Sequence, residues 1–443
     1  MTTIDTQFAG RRRLLSLGTA AGAATLLNAL PSAGAEPRVE QNSVHSNVKS
    51  FGAVGDGRSD DTASLQMALD AAFKDGGGTV YVPPGKYLLK ETLNIPDGVT
   101  LRGSYSCVPS HAGLRNQGEP KPGQDGTALF VTAGRGHEDG TPFATVNTNS
   151  TICGLTIYYP EQVTSAAPIP YPWTIAMRGM NPAVFDIELL NPYQGIDASQ
   201  NARHNIRNIT GQPLRRGVFV DEVYDIGRIE NVHFNPWWSF KSPVSKWQME
   251  NGEAFIFGRS DWEYVLNTFC YAYLTGYKFI PTLKGSCNGN FLGIGADNCN
   301  RAILVEQCDK YGLLITNAEF TSFSGEQPTM VEVRAENKGV VRISNSAFWG
   351  PCDQIARIAG QGTVGFSDCT FVQWGEDNDR AAIEASSGSL LIHGCEFLQN
   401  KKHVLLGGDV SCAVVASNLF HGKPQILNSS QGDVQIGLNA AHQ

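Results

Sequence analysis

The sequence predicts an all-β fold, a single-stranded parallel β-solenoid of about ten or eleven coils closed at its start by a capping α-helix. Three observations carry this reading. The 443 residues include 48 glycines and 22 prolines with no collagen period, so the chain turns often. Charged residues make up only 17%, which excludes a disordered chain, a coiled coil or a Lys/Glu-rich bundle. Third, one short pattern returns through the C-terminal third: β-formers, a small or polar pair, a small residue and then Phe. It ends at Phe320, Phe348, Phe371, Phe397 and Phe420, spaced 28, 23, 26 and 23 residues apart.

In chain order, residues 1–35 read as an export signal and stand outside the fold. Arg11, Arg12 and Arg13 precede an apolar run from Leu14 to Leu30, and Ala33-Gly34-Ala35 is an A-x-A cleavage pattern. The adjacent arginines resemble a twin-arginine signal, so the expected location is periplasmic or extracellular. Its loss removes three Arg and one Asp, leaving a charge of 31 − 41 = −10. An acidic chain is a poor partner for nucleic acid. No other stretch is apolar for long enough to span a membrane.

The rest, residues 36–443, reads as one β-helix domain, with 45–103 as cap and first coil. Asp60-Asp61-Thr62 opens an amphipathic helix containing Leu65, Met67, Ala68, Leu69, Ala72 and Phe73, and Gly76-Gly77-Gly78 stops it. A solenoid must cover its first rung, and this helix suits that task. Upstream of the phenylalanines, the coil corners are marked by Gly154, Asp186, Asn208, Asn231 and Asn267. A rung of 22–28 residues cannot bury its own apolar side chains, so rungs stack and like residues form ladders. The ten cysteines are scattered, with no CxxC or CxxH pair; buried free thiols are expected rather than a disulfide framework or a zinc site.

The run from Phe51 to Thr62 (FGAVGDGRSDDT), continued by Gly77-Gly78-Thr79-Val80-Tyr81-Val82-Pro83-Pro84-Gly85-Lys86-Tyr87, resembles the opening signature of the pectate-lyase-like superfamily. Its rhamnogalacturonase/epimerase-like and glycoside hydrolase family 28-related members are right-handed parallel β-helices, and the resemblance implies that handedness here. It covers about 50 residues and specifies fold rather than reaction. The motifs of polygalacturonase-type hydrolases (Asn-Thr-Asp, Asp-Asp, Gly-His-Gly, Arg-Ile-Lys) do not occur here in order. Nor is the calcium-binding Asp triplet of pectate lyases recognisable, so no catalytic set carries over.

Candidate site residues come instead from spacing. Asp186 to Asn208 to Asn231 takes 22 and 23 residues, whereas the flanking intervals, Gly154–Asp186 and Asn231–Asn267, take 32 and 36. Two long rungs around two trimmed ones predict walls around a groove floor. The walls offer Trp173, Trp237, Trp238 and Trp262, whose faces suit the apolar faces of sugars. With His204, Arg215 and Arg216 they form the expected substrate-binding set. The expected acids are Asp221, Glu222, Asp225, Glu253, Asp261 and Glu263. Paired carboxyls serve glycosidic hydrolysis; a base with a cation that neutralises a uronate serves a lyase or epimerase.

The first expectation is therefore an exported enzyme that hydrolyses a pectin-like or other acidic or branched polysaccharide, as a monomer or homotrimer. A lyase or uronate epimerase is the alternative, and a tailspike-like or envelope glycan-binding protein is the alternative of another class. No cofactor or metal motif is present; Ca2+ would enter only with a lyase. Gly136-His137-Glu138-Asp139-Gly140 reads as a surface loop rather than a metal site.

Overall fold

A computed structural model describes residues 45–111, 121–236, 241–376 and 378–442; the expected export signal lies outside them. Short strands pair only in parallel with the rungs above and below, building a right-handed parallel β-helix of three sheets. In sheet 1, fourteen successive pairings link fifteen strands, from His45–Asn47 to Asp433–Gly437. The expected ten or eleven coils are thus too few. Residues 45–102 already supply three strands of sheet 1, and the 50 residues from Asn267 to Asn317 hold two rungs, with Gly293 at the intervening corner.

That corner turns sheet 1 into sheet 2 with one left-handed residue per rung. Gly154, Asp186, Asn208, Asn231, Asn267, Gly293, Asn317, Asn345, Asp368, Gly394, Ser417 and Leu438 all have φ between 46° and 69°. Asn and Asp tolerate this conformation and bond locally. Here they also bond vertically: Asn208 Nδ2 donates to Asp186 Oδ1, and Asn231 Nδ2 to Asn208 Oδ1, each at 2.8 Å. Sheet 2 carries the predicted phenylalanine ladder, every ring fully buried and successive centroids 5.5, 5.4, 4.7 and 4.8 Å apart. Eight of the ten thiols are buried and free, as expected; Cys107 and Cys412 are exposed.

Sheet 3 begins after a second, wider corner. Its inward row runs Ile175, Ile196, Val218, Phe255, Tyr277, Ile303 and Val331, in register and without solvent contact. The capping helix α1 (Thr62–Lys74) buries Leu65, Ala68, Leu69 and Ala72 on the first rungs, whereas Met67 and Phe73 stay half exposed. Asp75 is its C-cap and Gly76-Gly77-Gly78 follow; a Cβ on Gly77 would meet the Gly98 carbonyl at 2.8 Å.

The two predicted walls both leave the corner between sheets 2 and 3, and their described residues meet instead of flanking a groove. The second insertion forms a helix, α2 (Pro243–Asn251), capped by Ser242 with Pro243 in its first turn. Val244 buries itself on Leu190 and Leu214, the apolar corner residues of the two short rungs. Its N–H then donates to the Thr164 carbonyl of the first insertion at 3.2 Å. The walls meet over the apolar corner of the two short rungs.

Candidate active site

The predicted polar residues separate into three places. His204 and Glu263 are fully buried, joined Nε2 to Oε1 at 3.0 Å, with Asn201 Oδ1 on the other ring nitrogen. They tie two rungs together and cannot reach a polymer, which corrects both assignments. Glu222, Asp225, Asp261 and Trp262 lie at or just past the corner from sheet 3 to sheet 1. There Arg203 donates to Asp225 at 2.8 Å and holds its carboxyl below the ordinary range, while Arg259 engages Asp261, also at 2.8 Å. Glu222, at φ 52°, faces Lys284 at 3.9 Å. Asp221 stands at the sheet 3 edge of that corner and accepts from the Arg259 N–H and from Thr282 Oγ1, a role in shaping the turn. Trp237 and Trp238 lie outside the described residues.

The third group, Trp173, Arg215, Arg216 and Glu253, shares the outer face of sheet 3. Strand register explains why. Trp173, Gln194, Arg216, Glu253 and Thr275 form one row across five rungs; Ala176, Asp197, Phe219, Ile256 and Lys278 form the next. Neighbouring strands stand about 4.8 Å apart, so each row presents its side chains at that pitch. Glu253 accepts from Lys278 Nζ at 2.9 Å and lies 3.5 Å from Arg215. Lys278 also faces Glu306 at 3.4 Å. Arg216 reaches Glu138 at 3.6 Å and donates to Gln194 Oε1 at 3.0 Å. Tyr193 donates to the other Glu138 oxygen at 3.2 Å; burial, then that carboxylate's charge, pushes its hydroxyl pKa up. Trp173 stacks on Phe219 with centroids 6.0 Å apart, and Arg178 pairs with Asp197.

Lys278, Glu306, Arg178, Asp197 and the loop residue Glu138 were not anticipated. Lys278 was legible only by aligning Glu253–Phe257 over Thr275–Phe279 as stacked strands. Four cations and four carboxylates therefore alternate on a face that is still partly open: Lys278 is 21% exposed, Arg216 and Glu138 each 33%. Each carboxylate is already engaged by a cation. The arrangement offers positive groups for a sugar carboxylate and acceptors for a proton. It does not offer a free carboxyl pair astride a glycosidic bond, which hydrolysis asks for. Among the described residues one trio has metal-ligating character: Glu396, His421 and His442, with ligand atoms within 4.8 Å of one another, in the last rungs of sheet 2.

The family profile described as "Rhamnogalacturonase A/epimerase, pectate lyase-like" matches residues 45–119. That segment holds the first three of the fifteen parallel rungs, and twelve more follow it. The described residues form a β-helix of the pectate-lyase-like type, with the profile match confined to its first coils. Over 65 residues it is 52% identical to mannuronan C5-epimerase AlgE4 of Azotobacter vinelandii, which covers 13% of this chain and 12% of that protein. Over 55 residues it is 53% identical to alginate lyase 7 of the same organism, 12% of this chain and 6% of that one. The match thus spans a small part of each relative. Among solved structures, the N-terminal fragment of bacteriophage Phi29 gene product 12 superposes with a TM-score of 0.59 at 14% identity, over 89% of this chain and 70% of that chain. That likeness concerns fold alone. No described helix is long and apolar enough to cross a membrane.

Proposed function

We propose that this β-helix protein is a carbohydrate-active enzyme acting on a uronate-containing polysaccharide, by removing the C5 proton rather than by paired-carboxylate hydrolysis. The observation that carries this reading is Lys278, fixed between Glu253 and Glu306 on the open face of sheet 3 with Arg216 two rungs away. A proton next to a carboxylate is removable only if the charge that develops on that carboxylate is met by fixed positive groups. Lys278 and Arg216 supply them, and Glu253 or Glu138 accepts the proton. The C5 electron pair spreads into the sugar carboxylate. In elimination it then expels the O4 leaving group, forming a C4=C5 double bond; in epimerisation it takes a proton back on the opposite face. Mannuronan epimerase and alginate lyase relatives support both outcomes. A polymer substrate meets its enzyme outside the cytoplasm, in agreement with the arginine-led apolar segment at 11–30.

Incubation with polymannuronate and polygalacturonate in D2O separates the routes. Elimination yields an ultraviolet-absorbing unsaturated sugar and epimerisation yields deuterium at C5. New reducing ends with neither signal would mean hydrolysis and overturn the proposal.

A further inference from the structure

On a different sheet from this chemistry, one strand breaks its own alternation. Between Ser260 and Glu263 the register with the next rung shifts, a β-bulge. Both residues turn inward, Ser260 toward Cys287 Sγ at 3.2 Å and Glu263 onto His204. The two residues between them, Asp261 and Trp262, are thereby expelled to the outside. Trp262 sits at φ 58°, where a bulky side chain is a true outlier, and the residue is 56% exposed. Strain and bulges of this kind gather at binding sites because they re-aim a side chain.

The expelled indole borders a cavity of about 440 Å³ with Asn288, Asn290, Tyr311 and Leu314. A second cavity of about 380 Å³ shares Asn290 and Leu314 and runs on to Arg342. Together they form one trough along the helix axis over four rungs of sheet 1, about 14 Å at the pitch of neighbouring strands. Tyr311 is 72% exposed, with Lys310 Nζ 5.3 Å from its ring centre. The carboxylate of Asp261 is already taken by Arg259, so Arg342 and Lys310 set the sign of the trough, in a chain of net charge −8.

We propose that this trough is a second glycan-binding site, which holds an acidic polysaccharide chain by stacking its sugars on Trp262 and Tyr311. The Asn288 and Asn290 amides meet sugar hydroxyls, and Arg342 meets a uronate carboxylate. The acidic nature of the glycan rests on the proposed function; the stacking site does not.

Electrophoresis of the full chain through gels containing alginate, or a neutral β-glucan, tests the site by binding alone. Alginate should retard the protein more than the neutral glucan does. Trp262→Ala and Tyr311→Ala should each weaken retention about three- to ten-fold, while Trp262→Phe largely preserves it. Tyr311→Ala, an exposed position, covers the case in which Trp262→Ala disturbs the bulge. Unchanged retention in both alanine variants, no retention of the parent protein, or stronger retention by the neutral glucan would each overturn the proposal. The two readings fail separately: retention without turnover removes the chemistry of sheet 3 and leaves this site standing, and turnover with indifferent alanine variants does the reverse.

Discussion

Replacing Lys278 by alanine removes the cation around which the proposed chemistry is built. Its ammonium group holds Glu253 at 2.9 Å and Glu306 at 3.4 Å, so two costs follow. The first is structural: Glu253, only 14% exposed, keeps Arg215 at 3.5 Å as its sole charged neighbour from these pairs. A half-buried carboxylate deprived of one partner costs about 1–3 kcal/mol, the lower part applying here because Arg215 remains. The second is catalytic. Loss of one preorganised group facing the charge that develops on the sugar lowers turnover about 10²–10³-fold. Turnover is read as ultraviolet absorbance or C5 deuterium on polymannuronate, with a thermal melt of the same preparation as the folding control. Lys278→Arg keeps the charge but moves it, and should recover part of the rate without necessarily restoring the affinity. If Lys278→Ala melts slightly earlier yet retains full turnover, the ion pairs on sheet 3 are structural and the site has been placed on the wrong face.

Three further outcomes are expected. Phe371→Ala removes a fully buried ring held between Phe348 and Phe397, and should cost about 3–5 kcal/mol, seen as faster hydrogen exchange in the rungs on either side. Under native conditions a thiol reagent should titrate Cys107 and Cys412 only, all ten cysteines reacting after denaturation, and reductant should leave the melt unchanged. The hydrogen bond to buried Glu188 raises the His111 pKa, so its contribution to stability is full below the unfolded value of about 6.5 and fades as pH rises through the raised folded value. The melting difference between the parent protein and His111→Gln should accordingly be greatest below about pH 6.5 and shrink as pH rises above it.

The ladders were readable because stacking makes one position repeat. Phe320 to Phe420 and the Asn, Asp and Gly corners occupy the same place in every rung, so a one-dimensional period reports a three-dimensional neighbour. The rung count fell short where that signal lapsed. At Gly293 a glycine stands for Asn, and before Gly154 the strands His45–Asn47, Gly78–Tyr81 and Val99–Arg102 carry neither Phe nor Asn corner. The cap was legible for a different reason, since a helix writes its own period; only Met67 and Phe73, apolar yet half exposed, departed from it.

The site was harder to read because charge has no period. Arg216 and Glu253 were found through the segments they sit in, whereas Lys278 acquires meaning only when its strand is laid in register under Glu253–Phe257. The expected groove failed for an energetic reason. Spacing showed correctly that two long rungs flank two short ones, and the inference from insertions to walls was sound. Yet the short rungs turn their corners with Leu190 and Leu214, and two leucines on a bare corner favour cover at about 25 cal/mol per Å² of apolar surface. The insertion 235–252 supplies that cover by folding a helix whose Val244 lands between them, with Gln212 and Gln248 bonded at 2.6 Å beneath. A groove floor that is to stay open must be polar, as the row of Arg216, Glu253 and Lys278 is. The identity of the corner residues, rather than the length of the rungs, separates a wall from a lid.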